Sequence, residues 1–207
     1  MKKRSLYRLL IPWLSLFIIN DAWGGTYSLH IYYQPLREFS SLRQKLGETV
    51  GIAPFQDKRS DKEYIAHHTS PRRVSDYFKS DPFPLEKAIR DSLSQALPRY
   101  GVKTVSVSEW SGKQESMKNI KADSILTIEI KRFWMQGTTT RSKIKMNTSV
   151  YLVIHLGVKK VGKVFTRNVF VGKERTIARL TPEEVEQTFN QILTNIFDNF
   201  LSNPYGI

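Results

Sequence analysis

A chain of 207 residues with 40% hydrophobic and 12% aromatic side chains can bury the core of one ordinary domain, which excludes disorder along its whole length. The formal charge of +13 points toward polyanionic partners. The lack of any cysteine excludes disulfides, thiolate metal sites, cysteine nucleophiles and the acceptor thiol of a bacterial lipoprotein.

The first element in chain order is a leader. Lys2, Lys3, Arg4 and Arg8 precede an apolar stretch over 9–19, and a small-residue exit follows at Ala22-Trp23-Gly24. This is the build of a secretory signal peptide over residues 1–24, with an uncleaved N-terminal anchor as the alternative. The stretch is short for a membrane span, which needs about 20 apolar residues. The basic start is of bacterial type, so the expected location of the mature protein is the periplasm, without a lipid anchor. Removing the leader takes away four basic residues and one acidic residue and leaves a strongly basic chain. In a cytosolic protein that balance would suggest nucleic acid. For an exported chain no nucleic acid is expected, and the available polyanions are lipid headgroups and envelope polymers, with peripheral membrane association as one outcome.

Residues 25–48 mix aromatics, Pro35 and charges without a clean period and read as an N-terminal spacer. A single domain is expected over 49–207. It opens with "TVGIAPF", a short strand closed by Pro54. Residues 56–82 then read as a polar excursion longer than an ordinary connection. In "PLEKAIRDSLSQALPRYG", Leu85, Ala88, Ile89, Leu93, Ala96 and Leu97 fall on one helix face, with Pro84 in the first turn and Gly101 just past the end. "VKTVSVS" is a strand, so strand, helix and strand imply a parallel pair.

Three strands with no helix between them follow. "SILTIEIKRFW" alternates apolar and polar residues, "QGTTTRSK" reads as a turn, "VYLVIHLGV" is the next strand, "KKVGK" a second turn, and "VFTRNVFVGKERTIA" returns. The chain closes on a helix whose Thr181 is a good N-cap, with Pro182 in the first turn and Glu184 completing a capping box. The predicted fold is a two-layer α+β domain: a βαβ unit, an antiparallel three-strand meander, and two amphipathic helices on one face of a mixed sheet.

Candidate chemistry is sparse. Asp57, Asp61, Glu63, His67 and His68 form the one acidic and histidine-rich stretch, but adjacent histidines point in different directions on any regular backbone and so poorly serve one ion. No Gly-x-Ser-x-Gly elbow and no glycine-rich phosphate loop occurs, and neither cofactor nor metal is expected. His155 within a strand reads as a packed or edge histidine. Asp57 and Arg59 are placed to pin a turn by a bidentate pair. Tyr77, Phe78 and Phe83, with Phe133, Trp134 and Met135, are candidates for an apolar docking patch. The basic clusters Arg72-Arg73, Arg141-Lys143-Lys145 and Lys159-Lys160-Lys163 are candidates for contact with an anionic surface.

The segments "VGIAPFQDKRSDKEYIA", "LEKAIRDSLSQALPRYGVKTV", "ADSILTIEIKRFW" and "ILTNIFDNFL" resemble, in pattern and order over residues 49–201, the YajG-like bacterial envelope lipoproteins. The likeness to the domains typified by LpoB and the N-terminal part of TolB is more distant. The motif-like part is Pro54, Phe55, Asp57 and Arg59. The resemblance implies a non-catalytic exported domain, departing from the family by the missing lipidation cysteine. The functional expectation is an interaction or structural module for a protein or anionic envelope partner. The alternative is a metal-dependent or acid/base enzyme using the Asp/His stretch over 57–68.

Overall fold

The computed structural model describes residues 24–71 and 74–206. The leader expected over 1–24 lies, but for Gly24, outside the described residues, as do Arg72 and Arg73. The elements are β1 (Thr26–His30), α1 (Leu42–Leu46), β2 (Thr49–Ile52), β3 (Gln56–Asp57), β4 (Ala66–Thr69), β5 (Ser75–Asp81) and α2 (Leu85–Ala96). A 3₁₀ turn over Leu97–Tyr100 leads to β6 (Lys103–Ser106), and a second over Glu115–Met117 precedes β7 (Ser124–Thr140), β8 (Lys143–Val158), β9 (Lys163–Ile177) and α3 (Pro182–Ser202).

Strand β7 organises the sheet. Its Leu126, Ile128 and Ile130 face one side and are buried, and Lys131 is an extra residue that shifts the register between Ile130 and Arg132. Phe133 and Met135 then continue the buried set. Along one edge β7 pairs antiparallel with β8, which pairs with β9. Along its other edge three short strands follow one another in parallel: β2 beside Ser124–Leu126, β3 beside Glu129 and Ile130, and β4 beside Met135–Thr138. β6 extends the sheet from β2 in parallel, and β5 then β1 extend it from β4. The fold is a mixed-sheet α+β domain with a βαβ unit and an antiparallel meander.

Helices α2 and α3 share one core with the sheet. Ile89 and Leu93 from the first, Leu97 from the 3₁₀ turn that follows it, and Val185, Phe189, Leu193 and Phe197 from the second are fully buried against Ile128, Ile130 and Phe133. Phe133 and Phe189 stack at 4.4 Å between centroids. α2 tightens into the 3₁₀ turn Leu97–Tyr100, which ends where Gly101 takes a left-handed conformation (φ 72°), the ordinary use of glycine past a helix end. At the start of α3, Thr181 Oγ1 accepts the Glu184 amide at 3.3 Å. The Glu184 carboxylate turns instead to Arg175, 3.6 Å away. The opposite face of the sheet has a smaller cluster of Ala53, Trp110, Met117 and Ile125. There Met117 and Trp110 press on the β8 backbone at Gly157, where a Cβ would lie 2.3 Å from the Met117 sulfur.

Three expectations change. The segment 25–48, read as a spacer, supplies β1, α1 and the buried Leu29, Ile31, Tyr33, Phe39, Leu42 and Leu46. The excursion 56–82 holds three strands; polar residues break its period because each strand is short and has a solvent face. The turn expected over 136–143 narrows to Arg141 and Ser142, since β7 runs on to Thr140. Arg141 takes a positive φ of 54° there.

Candidate functional site

The Asp57–Arg59 stretch closes a gap in the sheet. Lys58 N bonds Ile130 O at 2.9 Å and pairing resumes only where Met135 N bonds Ile65 O at 3.0 Å. Between these points the chain loops away, and the Arg59 side chain takes the place of backbone. Its Nη1 donates to Phe133 O at 3.3 Å and to Tyr64 O at 2.8 Å, and its Nη2 to Lys62 O at 3.0 Å. Asp57 holds the guanidinium through Nε and through Nη2, the latter at 2.7 Å, and also accepts the Arg59 amide. Their side chains are 3% and 5% exposed. Such a pair satisfies carbonyls that the loop would leave open, and neither member is free for proton transfer. Beside it Asp61 Oδ1 accepts the amides of Glu63 and Tyr64, an Asx-type turn.

The two histidines part company. His67 faces the sheet side away from the helices, stacked on Tyr77 at 4.7 Å. His68 faces the helix side, its Nδ1 3.1 Å from Asp76 and its Nε2 2.8 Å from Thr139 Oγ1. Carboxylate, imidazole and hydroxyl lie in the order of a nucleophile triad, yet each comes from a different strand among β5, β4 and β7, and the bonds tie those strand ends together. Among the described residues no group of three or more His, Asp or Glu is arranged to hold a metal ion.

The candidate docking residues are not one patch. Tyr77 and Phe83 are 37% and 54% exposed, but Phe78 is 2% exposed and belongs to the core, because successive strand residues face opposite ways. Phe133 and Met135 are buried for the same reason, with Trp134 half-exposed between them. Phe83 lies between β5 and α2. Lys159 Nζ donates to Ile120 O, so it fastens the β8–β9 turn, while Lys160 is exposed. That turn follows Val158, opposite Ser124, whereas the strand ends flanking Arg72 and Arg73 pair near Thr138, at the other end of β7.

Burial lowers the His155 imidazole from its ordinary value, and its Nδ1 lies 2.9 Å from Thr166 Oγ1. Hydrogen bonds from the Thr49 amide and hydroxyl hold Asp123 below the usual carboxylate range. Burial, then the neighbouring Asp198, raises the Tyr33 phenol far above its ordinary value.

The Tyr33–Asp198 contact belongs to a device that the sequence reading missed. Glu186, Asn190, Thr194 and Asp198 recur every four residues along α3 and bond the main chain of residues 30–36 at every second residue. His30 N donates to Glu186 at 2.8 Å, Tyr32 N to Asn190 at 3.0 Å and Leu36 N to Asp198 at 3.2 Å. Asn190 Nδ2 donates to His30 O at 2.9 Å, and Thr194 Oγ1 to Gln34 O at 3.1 Å. The match is geometric. Four helical residues rise about 6 Å and two extended residues advance about 6.6 Å, so a helix can act as a partner strand. The signal in the sequence was a polar residue every fourth position inside an apolar stripe.

No family model matches the chain, and no curated protein matches it. Among solved structures, the protein XCC0632 from Xanthomonas campestris, of family DUF330, superposes with a TM-score of 0.56 at 14% identity, over 87% of this chain and 94% of its own. The two chains share a fold. A Helicobacter pylori protein described as a homologue of a neuraminyllactose-binding hemagglutinin gives a TM-score of 0.48 at 14% identity, over 86% and 96%. The lipoprotein GNA1162 from Neisseria meningitidis gives 0.36 at 8%, over 72% and 98%. Among the described residues no helix is long and apolar enough to cross a membrane.

Proposed function

We propose that this chain is an exported, non-catalytic module of the bacterial envelope that works by binding a protein or anionic envelope partner. The observation that carries the reading is the commitment of the 57–68 stretch to the fold. Asp57 and Arg59 are saturated by each other and by three carbonyls, Asp61 caps a turn, and the histidines bind opposite faces of the sheet. An acid/base reading needs at least one of these groups to face a substrate. The basic leader and the excess of Lys and Arg support export and an anionic environment.

Membership of the YajG-like family is part of the same proposal. It rests on Pro54, Phe55, Asp57 and Arg59, and the gap-closing bonds give that motif a physical purpose. Tyr77, Phe83, Lys160 and the Arg72-Arg73 pair remain candidate partner contacts, though not as one face, since Lys160 and the strand ends flanking Arg72 and Arg73 lie at opposite ends of β7. The test is fractionation of cells expressing the tagged chain, with sequencing of the mature N-terminus, alongside a variant carrying His67→Ala and His68→Ala. A periplasmic protein cut near Gly24, with its cellular phenotype kept by the double variant, is expected. Full-length protein in the cytoplasm would sink the reading.

A further inference from the structure

The second flank of α3 forms an open counterpart to the ladder that holds residues 30–36. Gln187, Gln191, Asn195 and Asn199 also recur every four residues, and all four are exposed. Asn199 receives Arg37 Nη1 at 3.3 Å. Between the Asn195–Asn199 part of this flank and β9 runs a groove of about 550 Å³, walled by Asn195, Ile196 and Asn199 on the helix, by five consecutive strand residues from Arg167 to Val171, and at one end by Asn203 and Gly206, whose carbonyls accept from Arg167. Among the described residues β9 pairs with β8 alone, so its outer edge presents free amides and carbonyls along this groove. Val169 and Val171 offer half-buried apolar side chains there.

From this geometry we infer that the groove between β9 and α3 takes an extended acidic peptide segment of a partner protein, added to the sheet as a further strand. One edge of that segment pairs with β9, and its other edge meets the Asn195 and Asn199 carboxamides at two alternate residues, a shorter version of the contact that residues 30–36 make with the closed ladder. Charge selects the occupant. β9 carries Lys163, Arg167, Lys173 and Arg175. Glu174 is paired with Lys145, Arg175 with Glu184, and Arg167 donates to the Asn203 and Gly206 carbonyls while keeping its charge. Antiparallel pairing of two copies would therefore set like charges opposite one another, whereas an acidic strand is attracted, chiefly by Lys163 and Lys173. The inference rests on the interaction-module reading for the kind of partner and adds the site and its chemistry.

The test pans a phage-displayed library of random peptides of about ten residues, enough for one strand, on the purified full chain. The selected peptide is then made with ordinary amides and with every second amide N-methylated. Acidic sequences with alternating apolar residues are expected, and bound peptide is expected to slow amide exchange at 167–171. Binding should weaken about tenfold or more for the N-methylated peptide and for the Asn195→Ala, Asn199→Ala variant, whose exposed positions leave the fold intact. The inference is overturned by no enrichment, by an exchange footprint elsewhere, or by equal binding of the N-methylated peptide. It is also overturned by exchange already slow at 167–171 in a self-associated protein, which would make a second copy the occupant. The titration does not depend on compartment, so its failure leaves the export reading standing, and a cytoplasmic protein would not alter the binding.

Discussion

The two flanks of α3 are built to one pitch and differ in what faces them. On the closed flank Asn190, Thr194 and Asp198 are at most 8% exposed, and their polar atoms meet the backbone of residues 30–36. In the other row Gln187, Gln191, Asn195 and Asn199 are exposed; Asn195 and Asn199 line the β9 groove, while Gln187 and Gln191 border a groove beside Tyr32, Gln34 and Leu36. Both rows are polar at the same four-residue pitch, and the presence of an extended segment turns one of them into a structural joint. The closed row also holds charge where the open row has none. Asp198 is affordable inside because the Tyr33 phenol, at 2.8 Å, and the Leu36 amide both donate to it.

The contrast between closed and open polar groups is testable by denaturation. The largest effect is expected at the Asp57–Arg59 pair, the most enclosed polar joint of the molecule's loop region: Arg59→Leu strands a buried carboxylate and should cost about 3–5 kcal/mol in urea unfolding. On the closed flank, Asp198→Ala leaves the Tyr33 hydroxyl and Leu36 amide without a partner and should cost about 3 kcal/mol. Asn190→Ala, which removes bonds to both His30 and Tyr32, should cost about 2 kcal/mol and raise protease cutting within residues 30–36. A loss below that for Asn190 would mean the closed ladder holds the segment no better than the open one.

Smaller effects mark the other side of the contrast. Tyr33 has a raised folded-state pKa, so its contribution is fully present below the unfolded value of about 10. Above that the unfolded chain releases the phenolic proton first and binds fewer protons than the folded one, so stability falls as pH rises. Tyr33→Phe should make that alkaline decline shallower, measured as the midpoint of urea unfolding against pH. An unchanged slope would separate Tyr33 from the ladder. Asn195→Ala, on the open flank, should shift stability by no more than about 0.5 kcal/mol in the free protein. A loss near that of Asn190→Ala would show the open flank to be occupied already.

Much of the architecture could be read locally. The α2 face, the Gly101 stop, the Thr181 cap and the alternation of Leu126, Ile128 and Ile130 are short-range patterns whose cause lies within one turn or one strand. Candidate site residues were less legible. Tyr77 and Phe78 look alike in sequence, and only the register of β5 against β4 puts one outside and the other in the core. Glu186, Asn190, Thr194 and Asp198 look like ordinary polar breaks in an apolar stripe until the segment 30–36, about 160 positions away, is laid beside them.

By itself the sequence determined the capped closing helix, the meander and the amphipathic α2, because periodicity, caps and turn residues act over a few residues and require no distant partner. Only the tertiary structure decided the places of β1, β3, β4 and β5 and the two fates of the α3 flanks. Those strands are two to seven residues long and are held by pairing with chain far away in sequence. A row of polar side chains at a four-residue pitch likewise becomes a joint or stays open according to whether an extended segment comes to lie against it.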